Sequence, residues 1–187
     1  MIFHPTPLTG VVRIELREVA DERGWFVRTF DREAFAAHGV ATDFPQTNHS
    51  LCRRQGILRG LHYQRPPRAE AKLVRCVRGR VFDVAVDVRY GSPTFLQWYG
   101  VTLDADEPCC LYVGPGFAHG YLSLSDSAAV VYQASEVYAP QLEGVVRYDD
   151  PRVGIVWPLP PAEMSSKDAG APPLDDQFTG IDLNPQG

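Results

Sequence analysis

The chain has 187 residues, of which 44% are hydrophobic and 22% are charged, and its formal net charge is −5. This length predicts a single domain over residues 1–187 that buries a sizeable core. The apolar content is too high, and the net charge too small, for an intrinsically disordered chain. No apolar run approaches the roughly 18 residues of a membrane span, and the N-terminal residues lack the pattern of a secretory signal.

Cysteine usage and charge balance predict a cytoplasmic protein without nucleic-acid or membrane partners. The cysteines show no CxxC and no metal-finger spacing, and they are Cys52, Cys76, Cys109 and Cys110. A chain of this length does not need disulfides for stability, so reduced thiols in the cytoplasm are expected. The acidic isoelectric point, about 5.5, argues against nucleic acid as the main partner.

In chain order, the sequence predicts two strands, a short helix, eight further strands and an irregular C-terminal tail. Asp31 is the expected N-cap of the helix, Glu33 lies in its first turn, and Gly39 ends it. The tail is rich in proline, with one short turn at Ser165–Asp168. Regularly spaced short strands without long helices predict an all-β sandwich or barrel. The predicted strands are Val11–Val19, Trp25–Phe30, Ile57–Tyr63, Leu73–Arg78, Val81–Arg89, Phe95–Leu103, Leu111–Val113, Ala118–Leu124, Ala129–Tyr138 and Gly154–Trp157.

The strand Val81–Arg89 has the clearest periodicity. Its even-numbered residues are apolar, whereas its odd-numbered face includes Asp83 and Asp87. A period of two indicates a strand with one face in a core and one face towards something polar. That second face lies on the outside of the protein or lines a ligand-filled interior, and the alternation alone is compatible with both.

Basic residues are concentrated in one part of the chain. Residues 53–80 contain nine of the eighteen basic residues but only one acid, Glu70. One interpretation is a binding site for a small polyanion, which such a cluster attracts. The other is a solvated strand face whose arginines pair with acids elsewhere. The nine basic residues are Arg53, Arg54, Arg59, Arg65, Arg68, Lys72, Arg75, Arg78 and Arg80.

Two of the five histidines lie in strands that contain glycine. His62 follows Gly60, and His119 lies between Gly116 and Gly120. Glycines within strands often mark bulges or the close approach of a ligand. Each histidine taken alone is better explained as a hydrogen-bonded core residue.

The histidine spacing does not favour a metal site. Metal sites in small β barrels typically combine His-x-His, a glutamate a few residues later and another histidine on a later strand. Here Gln64 stands two residues after His62, and the next acid is Glu70. His62 and His119 alone supply too few ligands for Zn²⁺ or Fe²⁺. No metal is therefore expected, and His62 is available for acid–base chemistry.

Two tyrosines are candidates for a proton donor. Tyr132 and Tyr138 are six residues apart in one predicted strand, so they are expected on the same face. A tyrosine that donates a proton complements a histidine that removes one. Core tyrosines are also common, which leaves a packing role open.

Eight segments, in order from about residue 12 to residue 168, closely resemble the dTDP-4-dehydrorhamnose 3,5-epimerase family. Each match is short, but together they are specific. They are Asp21–Gly24, Gln46–Ser50, Gly56–Gln64, Lys72–Arg75, Val81–Arg89, Gly116–Gly120, Asp150–Ile155 and Ser166–Asp168.

The resemblance implies a cupin-like jelly-roll β barrel that forms a homodimer and uses no cofactor. It implies a dTDP-linked 4-keto-6-deoxyhexose as substrate, on the route to dTDP-L-rhamnose. By this resemblance His62 is the catalytic base, supported by Asp168, Tyr132 is the acid, and Lys72 lies near the 4-keto oxygen. The expected substrate-binding residues are Arg23, Gln46, Asn48, Arg59, His119, Tyr138, Glu143 and Lys167.

The chemistry of such a substrate suits these residue types. A ketone at C4 acidifies the hydrogens on C3 and C5, because the carbanion is delocalised as an enolate. Removal of these hydrogens needs a base whose pKa is near neutral, and histidine is the natural choice. A carboxylate such as Asp168 fixes the imidazole tautomer, and a cation such as Lys72 stabilises the oxyanion. Inversion needs an acid on the opposite face, and arginines bind the diphosphate.

Two questions remain open at the level of sequence. Strict alternation places Arg59 and His62 on opposite faces of one strand, unless Gly60 introduces a bulge. Departures from the family pattern, including Arg28 where many relatives have glutamate, affect the expected sugar and nucleotide preference. An epimerase acting at one centre, and a non-catalytic cupin that binds sugar nucleotides, are therefore kept as alternatives.

Overall fold

A computed structural model describes residues 1–183, which form thirteen strands and two short helices. The helices are α1 (Arg32–Ala37) and α2 (Ser166–Ala169), and Pro140–Leu142 forms a 3-10 turn. The strands are β1 (Ile2–Pro5), β2 (Val11–Glu15), β3 (Glu18–Asp21), β4 (Gly24–Val27), β5 (Gln46–Cys52), β6 (Leu58–Gln64), β7 (Lys72–Arg78), β8 (Arg80–Asp87), β9 (Trp98–Asp104), β10 (Cys109–Val113), β11 (Phe117–Ser123), β12 (Ala128–Ala134) and β13 (Glu143–Val145).

Two antiparallel sheets pack face to face, and a separate hairpin of β3 and β4 extends from them. The six-stranded sheet has the order β1-β2-β10-β7-β12-β5, and the five-stranded sheet has the order β13-β6-β11-β8-β9. Buried apolar side chains from both sheets form a common core, for example Val74 and Val130 against Val81 and Leu103. This arrangement confirms the predicted all-β jelly roll.

The outer face of the six-stranded sheet is covered by α1. The Asp31 side chain accepts a hydrogen bond from the Ala34 N–H at 3.1 Å, and Gly39 follows the helix with φ +67°. Phe35 is fully buried against this sheet, in a cluster that includes Ile14 and Tyr112. The predicted helix, its cap and its end are therefore confirmed.

The C-terminal segment covers the outer face of the five-stranded sheet. Ile155 and Trp157 pack against Val84 and Val86 there, and the Trp157 indole donates to the Tyr148 carbonyl at 2.9 Å. The prediction of a strand at Gly154–Trp157 is wrong, because its apolar residues pack through side chains and gain no strand partner among residues 1–183. The tail is irregular, as predicted, but it is part of the packed structure.

Three strands were missed because their pairing comes from neighbours rather than from their own residues. β5 is largely polar, yet all seven of its residues pair with β12. β1 pairs with β2, and the three-residue β13 pairs with β6. Strand formation depends strongly on such context.

Two predicted strands also continue past the point at which the chain leaves its sheet. The segment Val11–Val19 divides after Glu15, where the chain leaves the six-stranded sheet to form the β3–β4 hairpin. The segment Ala129–Tyr138 ends at Ala134, because the chain then crosses to the other sheet and forms β13. Tyr138 is therefore not on the strand of Tyr132, and their predicted common strand face is wrong.

Both faces of β8 are buried, which decides between the two interpretations of its alternation. Val84 and Val86 lie under the C-terminal segment, and Ala85 lies in the core between the sheets. The carboxylates of Asp83 and Asp87 are 0% exposed. The polar face of this strand therefore points into the protein.

A β-bulge at Gly60 interrupts the pairing of β6 with β11. His119 lies opposite His62, whereas Tyr121 lies opposite Arg59, so β6 has one residue more than β11 between these pairs. Gly60 has φ +127°, a conformation that residues with a Cβ rarely adopt. A Cβ at this position would lie 2.5 Å from the Gly120 Cα and 2.9 Å from the His119 carbonyl oxygen.

We expect Gly60→Ala to destabilise the fold by about 3 kcal/mol or more, from backbone strain and overpacking together. Gly24→Ala is the matched control, because Gly24 has φ +128° but no atom within 4 Å of an added Cβ. The control is expected to lose only the strain contribution, about 1–2 kcal/mol. Urea unfolding of both variants measures the difference, and equal losses would contradict the close packing at Gly60.

Candidate active site

A cavity of about 770 Å³ is lined by residues of both sheets and of the C-terminal segment. This volume is in the usual range for a small-molecule site. The five-stranded sheet contributes Arg59 and His62 from β6 and His119 from β11, and the six-stranded sheet contributes Lys72 from β7 and Tyr132 from β12. The C-terminal segment adds Lys167 and Asp168, so seven of the twelve predicted site residues border this cavity.

His62 and Asp168 form a hydrogen-bonded pair. The His62 Nε2 lies 2.7 Å from the Asp168 Oδ1, and a carboxylate oxygen accepts, so Nε2 carries the hydrogen. Burial alone would raise the pKa of Asp168, but its hydrogen bonds, foremost the one from His62, together hold that pKa below its usual value. The pair can therefore keep a charged carboxylate beside the imidazole.

The short helix α2 places Asp168 under β6. Ser165 caps this helix by accepting from the Asp168 N–H at 3.1 Å, and the Gly60 N–H donates to the Asp168 Oδ2 at 3.4 Å. The preceding residues follow β6, since the Leu58 N–H donates to the Glu163 carbonyl at 2.8 Å. A residue more than one hundred positions later in the chain is thereby fixed next to His62.

Lys72 is fixed at the cavity by two contacts. Its Nζ donates to the His62 carbonyl oxygen at 3.3 Å and lies 3.1 Å from the Glu70 Oε1. The side chains of Lys72 and Glu70 are only 11% and 13% exposed. Sequence reasoning missed Glu70 as a site residue, although its position as the one acid in the basic segment was a usable signal.

Tyr132 lies on the six-stranded sheet, which faces the five-stranded sheet that carries His62. Burial and the negative charge of Glu70 raise the pKa of Tyr132 above its usual value. The phenol therefore stays protonated over the range in which enzymes usually work, as a proton donor must. His62 and Tyr132 border one cavity from two different sheets.

The bulge at Gly60 brings Arg59 and His62 to the same cavity, as the sequence required. The Arg59 Nη2 donates to the Leu51 carbonyl at 3.2 Å. Nearby, the Tyr121 hydroxyl lies 2.5 Å from the Ser50 Oγ, and burial raises the pKa of Tyr121. Sequence reasoning had not identified Ser50 or Tyr121 as residues of the site.

The basic segment is divided between the cavity and other surfaces. Four of its nine basic residues border the cavity, namely Arg53, Arg54, Arg59 and Lys72. Arg80, by contrast, lies 4.0 Å from Asp104 and away from the cavity lining. Part of the segment thus gives this cavity a positive lining.

Three predicted residues form a connected group beside Lys167. The Lys167 Nζ lies 2.8 and 2.9 Å from the two carboxylate oxygens of Glu143, and the Tyr138 hydroxyl donates to the same carboxylate at 3.2 Å. The Gln46 side-chain oxygen accepts from the Tyr138 N–H. Burial alone would raise the pKa of Glu143, but the hydrogen bonds from Lys167 and Tyr138 and the positive charge of Lys167 together hold it below its usual value. These residues extend the site beyond the cavity lining.

Asn48 and Arg23 are the predicted residues that lie farthest from this arrangement. Asn48 is the register partner of Tyr132 on the edge strand β5, but it does not line the cavity. Arg23 is 84% exposed on the β3–β4 hairpin, where it pairs with Asp21 at 2.5 Å. The same hairpin exposes Trp25 and Phe26, at 55% and 65%.

The histidines of the cavity are bound to carboxylates. The His119 Nε2 lies 2.9 Å from the Asp83 Oδ1. In the same way, the His62 Nε2 is hydrogen-bonded to the Asp168 Oδ1. Within residues 1–183, no three His, Cys, Asp or Glu side chains are grouped so as to hold a metal ion.

In the same part of the chain, no helix has the length and apolar content needed to cross a membrane.

Comparison with known proteins identifies the family. The family model for dTDP-4-dehydrorhamnose 3,5-epimerase matches residues 5–176. The chain is 45% identical over 179 residues to the dTDP-4-dehydrorhamnose 3,5-epimerase of Salmonella typhimurium, which covers 94% of this chain and 96% of the relative.

Solved structures agree with this match. An epimerase from Legionella pneumophila, in complex with dTDP-4-keto-L-rhamnose, has a TM-score of 0.89 and 37% identity and covers 96% of this chain and 97% of its own. A 3'-monoepimerase from Streptomyces bikiniensis, in complex with dTDP-quinovose, has a TM-score of 0.84 and 40% identity. The match covers 91% of this chain and 86% of the monoepimerase chain. The chain described here belongs to the dTDP-4-dehydrorhamnose 3,5-epimerase family.

Proposed function

We propose that this protein epimerises C3 and C5 of a dTDP-linked 4-keto-6-deoxyhexose, in the biosynthesis of dTDP-L-rhamnose or a related deoxysugar. The observation that carries the proposal is the placement of His62 and Tyr132 on opposite sheets around one cavity. Inversion at carbon requires proton removal from one face and proton delivery to the other. A base and an acid on opposite walls meet that requirement.

His62 removes the proton in this mechanism. Its Nε2 donates to Asp168, so the other ring nitrogen is the one available to the substrate. The Asp168 carboxylate, which stays charged, stabilises the imidazolium that forms, as in hydrolase triads. The C4 oxygen gains negative charge at the same moment, and Lys72 supplies the cation that stabilises it, an effect worth a few kcal/mol in comparable sites.

Tyr132 delivers the proton to the opposite face. Its raised pKa keeps the phenol protonated until the enolate forms. The resulting tyrosinate is reprotonated by solvent, and the His62 imidazolium releases its proton to solvent, so that both groups are ready for the next inversion. The reaction needs no metal and no redox cofactor, because the ketone of the substrate itself delocalises the carbanion.

The positive lining and the group around Lys167 bind the nucleotide part of the substrate. Guanidinium groups such as that of Arg59 bind phosphate oxygens in a bidentate geometry. His119 and Lys167 add further donors at the cavity wall. The ring of Tyr138, which is about half exposed, is suited to stacking on a nucleobase. A dTDP-linked sugar fits this distribution of charge and aromatic surface.

The protein is further proposed to act as a homodimer. The exposed apolar residues Trp25 and Phe26 on the β3–β4 hairpin are the kind of surface that a second copy covers. Arg23 lies on this hairpin, outside the cavity of its own chain. We assign Arg23 to the cavity of the partner copy, which reconciles its predicted role in substrate binding with its exposed position.

A cytoplasmic location completes the proposal. All four cysteines are free and buried, and burial raises the pKa of Cys76 to about 11 and that of Cys110 to about 12. Thiols in this state are expected in a reducing compartment.

A single-centre epimerase is the second candidate function. The observation in its favour is the likeness to the 3'-monoepimerase, which is as strong in identity as that to several two-centre enzymes. Incubation with dTDP-4-keto-6-deoxyglucose in heavy water, followed by NMR, separates the possibilities. Deuterium at C3 and C5 with inversion at both supports the two-centre reaction, inversion at one carbon supports the alternative, and the absence of exchange supports a binding protein.

We expect His62→Asn to abolish deuterium exchange at both carbons, by about a hundredfold or more, the usual effect of losing a general base. The fold should persist, because the His62 side chain is 28% exposed and borders the cavity. NMR measures the exchange, and circular dichroism checks the fold. Near-native exchange in a folded variant would remove His62 as the base.

We expect Tyr132→Phe to separate proton removal from inversion. The phenol is lost, whereas His62, Asp168 and Lys72 keep their contacts, so the enolate still forms and deuterium still enters. Without an acid on the opposite wall, inverted product is expected to fall by about a hundredfold. If exchange and inversion fall together, Tyr132 only packs against the sugar and is not the acid.

We expect co-expressed Arg23→Ala and His62→Asn chains to recover activity that neither variant has alone. In a mixed dimer, the His62→Asn chain supplies its intact Arg23 to the cavity of the other chain. Random pairing leaves about a quarter of all sites intact in a two-fold dimer. Light scattering should give a mass of twice 20.8 kDa. A fully active monomer, or a mixture without recovery, would contradict the shared site.

A further inference from the structure

Asp83 is a buried carboxylate for which the fold provides little compensation. It lies on β8 with its side chain 0% exposed. One oxygen, Oδ1, accepts a hydrogen bond from the His119 Nε2 at 2.9 Å. The other, Oδ2, is buried and has no hydrogen-bond partner among residues 1–183. Burying a carboxylate in this way is costly unless a specific contact offsets the lost hydration.

Asp87 shows what a purely structural carboxylate looks like on the same strand. It lies four residues later and is also 0% exposed. Its two oxygens accept five hydrogen bonds, from the backbone and guanidinium of Arg89 and from the hydroxyls of Ser92 and Thr94. These contacts stabilise the turn that follows β8. Asp83 has one such contact, and that contact is to a residue of the cavity.

The partner of Asp83 lies beside the proposed catalytic base. His119 is on β11, directly opposite His62 on β6 and opposite Ala85 on β8. Its ring borders the cavity. Because the Asp83 carboxylate only accepts, the His119 Nε2 carries a hydrogen. The His119 Nδ1 has no hydrogen-bond partner within residues 1–183, so it is the ring nitrogen left for a ligand.

We propose that Asp83 is a positioning residue for substrate binding: it fixes the orientation and tautomer of the His119 imidazole, so that Nδ1 is presented to the sugar nucleotide in the cavity. The inference rests on the proposed function and extends it. The cavity then contains two histidine–aspartate pairs side by side, His62–Asp168 for proton removal and His119–Asp83 for binding. Asp83 touches no substrate and acts through His119 alone.

The kinetic test is a double-mutant cycle on Asp83→Asn and His119→Ala. Asparagine keeps the volume of Asp83 but can turn its amide towards the imidazole, so the fixed tautomer is lost. Loss of such an outer hydrogen-bond partner typically weakens a site by about 10- to 100-fold. We expect Asp83→Asn to raise KM about tenfold with kcat within about twofold, and to add nothing further in the His119→Ala background.

Asp87→Asn is the matched control. It removes an equally buried carboxylate from the same strand and is expected to lower the urea midpoint of unfolding without raising KM. Two results would overturn the proposal: effects of Asp83→Asn and His119→Ala that multiply in the double variant, or an unchanged KM in folded Asp83→Asn. Both would show that Asp83 does not act through His119.

Nitrogen-15 NMR of the His119 ring in the wild-type protein tests the same proposal without turnover and without a variant. We expect the hydrogen on Nε2, and the Nδ1 resonance to shift when dTDP is added. A hydrogen on Nδ1 alone, or no shift with saturating dTDP, would overturn the proposal. If the wild type binds dTDP with this shift but exchanges no deuterium into a keto sugar, the proposed epimerisation fails while the role of Asp83 stands.

Discussion

The extra residue at Gly60 is the constraint on which the site depends. It shifts β6 by one position against β11, so that Arg59 and His62 border the same cavity although they are three residues apart. The same bulge turns the Gly60 N–H towards Asp168, which fixes the carboxylate that holds His62. The backbone of Gly120 passes so close that neither strand has room for a side chain there. Two glycines in contact thus set the relative positions of His62, Arg59 and Asp168 together.

The buried carboxylates of this protein differ in the number and kind of their hydrogen-bond donors. Asp87 is surrounded by donors and stabilises a turn. Asp168 has donors from His62 and the backbone, whereas within residues 1–183 the one donor to Asp83 is His119. When a buried carboxylate has few other hydrogen-bond donors, the free-energy cost of burying its charge is offset mainly by the imidazole that it binds. The two carboxylates beside the cavity therefore control histidines, and the one away from it controls loop conformation.

The two sheets divide the chemistry between them. The five-stranded sheet provides both imidazoles, and the six-stranded sheet provides Lys72 and Tyr132. Glu70 connects the latter two, because it is paired with Lys72 and raises the pKa of Tyr132. The cavity between the sheets therefore has an imidazole on one wall and a phenol on the other.

The sequence by itself determined the fold class, the capped helix and most of the strands, because period-two patterns, turn residues and caps are local signals. Through the resemblance of short motifs it also named twelve site residues, of which seven border the cavity. Only the tertiary structure decided that β5, a polar segment, is a strand, since its pairing with β12 provides the stabilisation. Likewise, only the structure showed that Tyr138 leaves the strand of Tyr132, that Glu70 pairs with Lys72, and that Asp83 holds His119. These contacts join residues on different strands or across a change of sheet, and local patterns carry no information about which distant side chain fills a buried hydrogen bond.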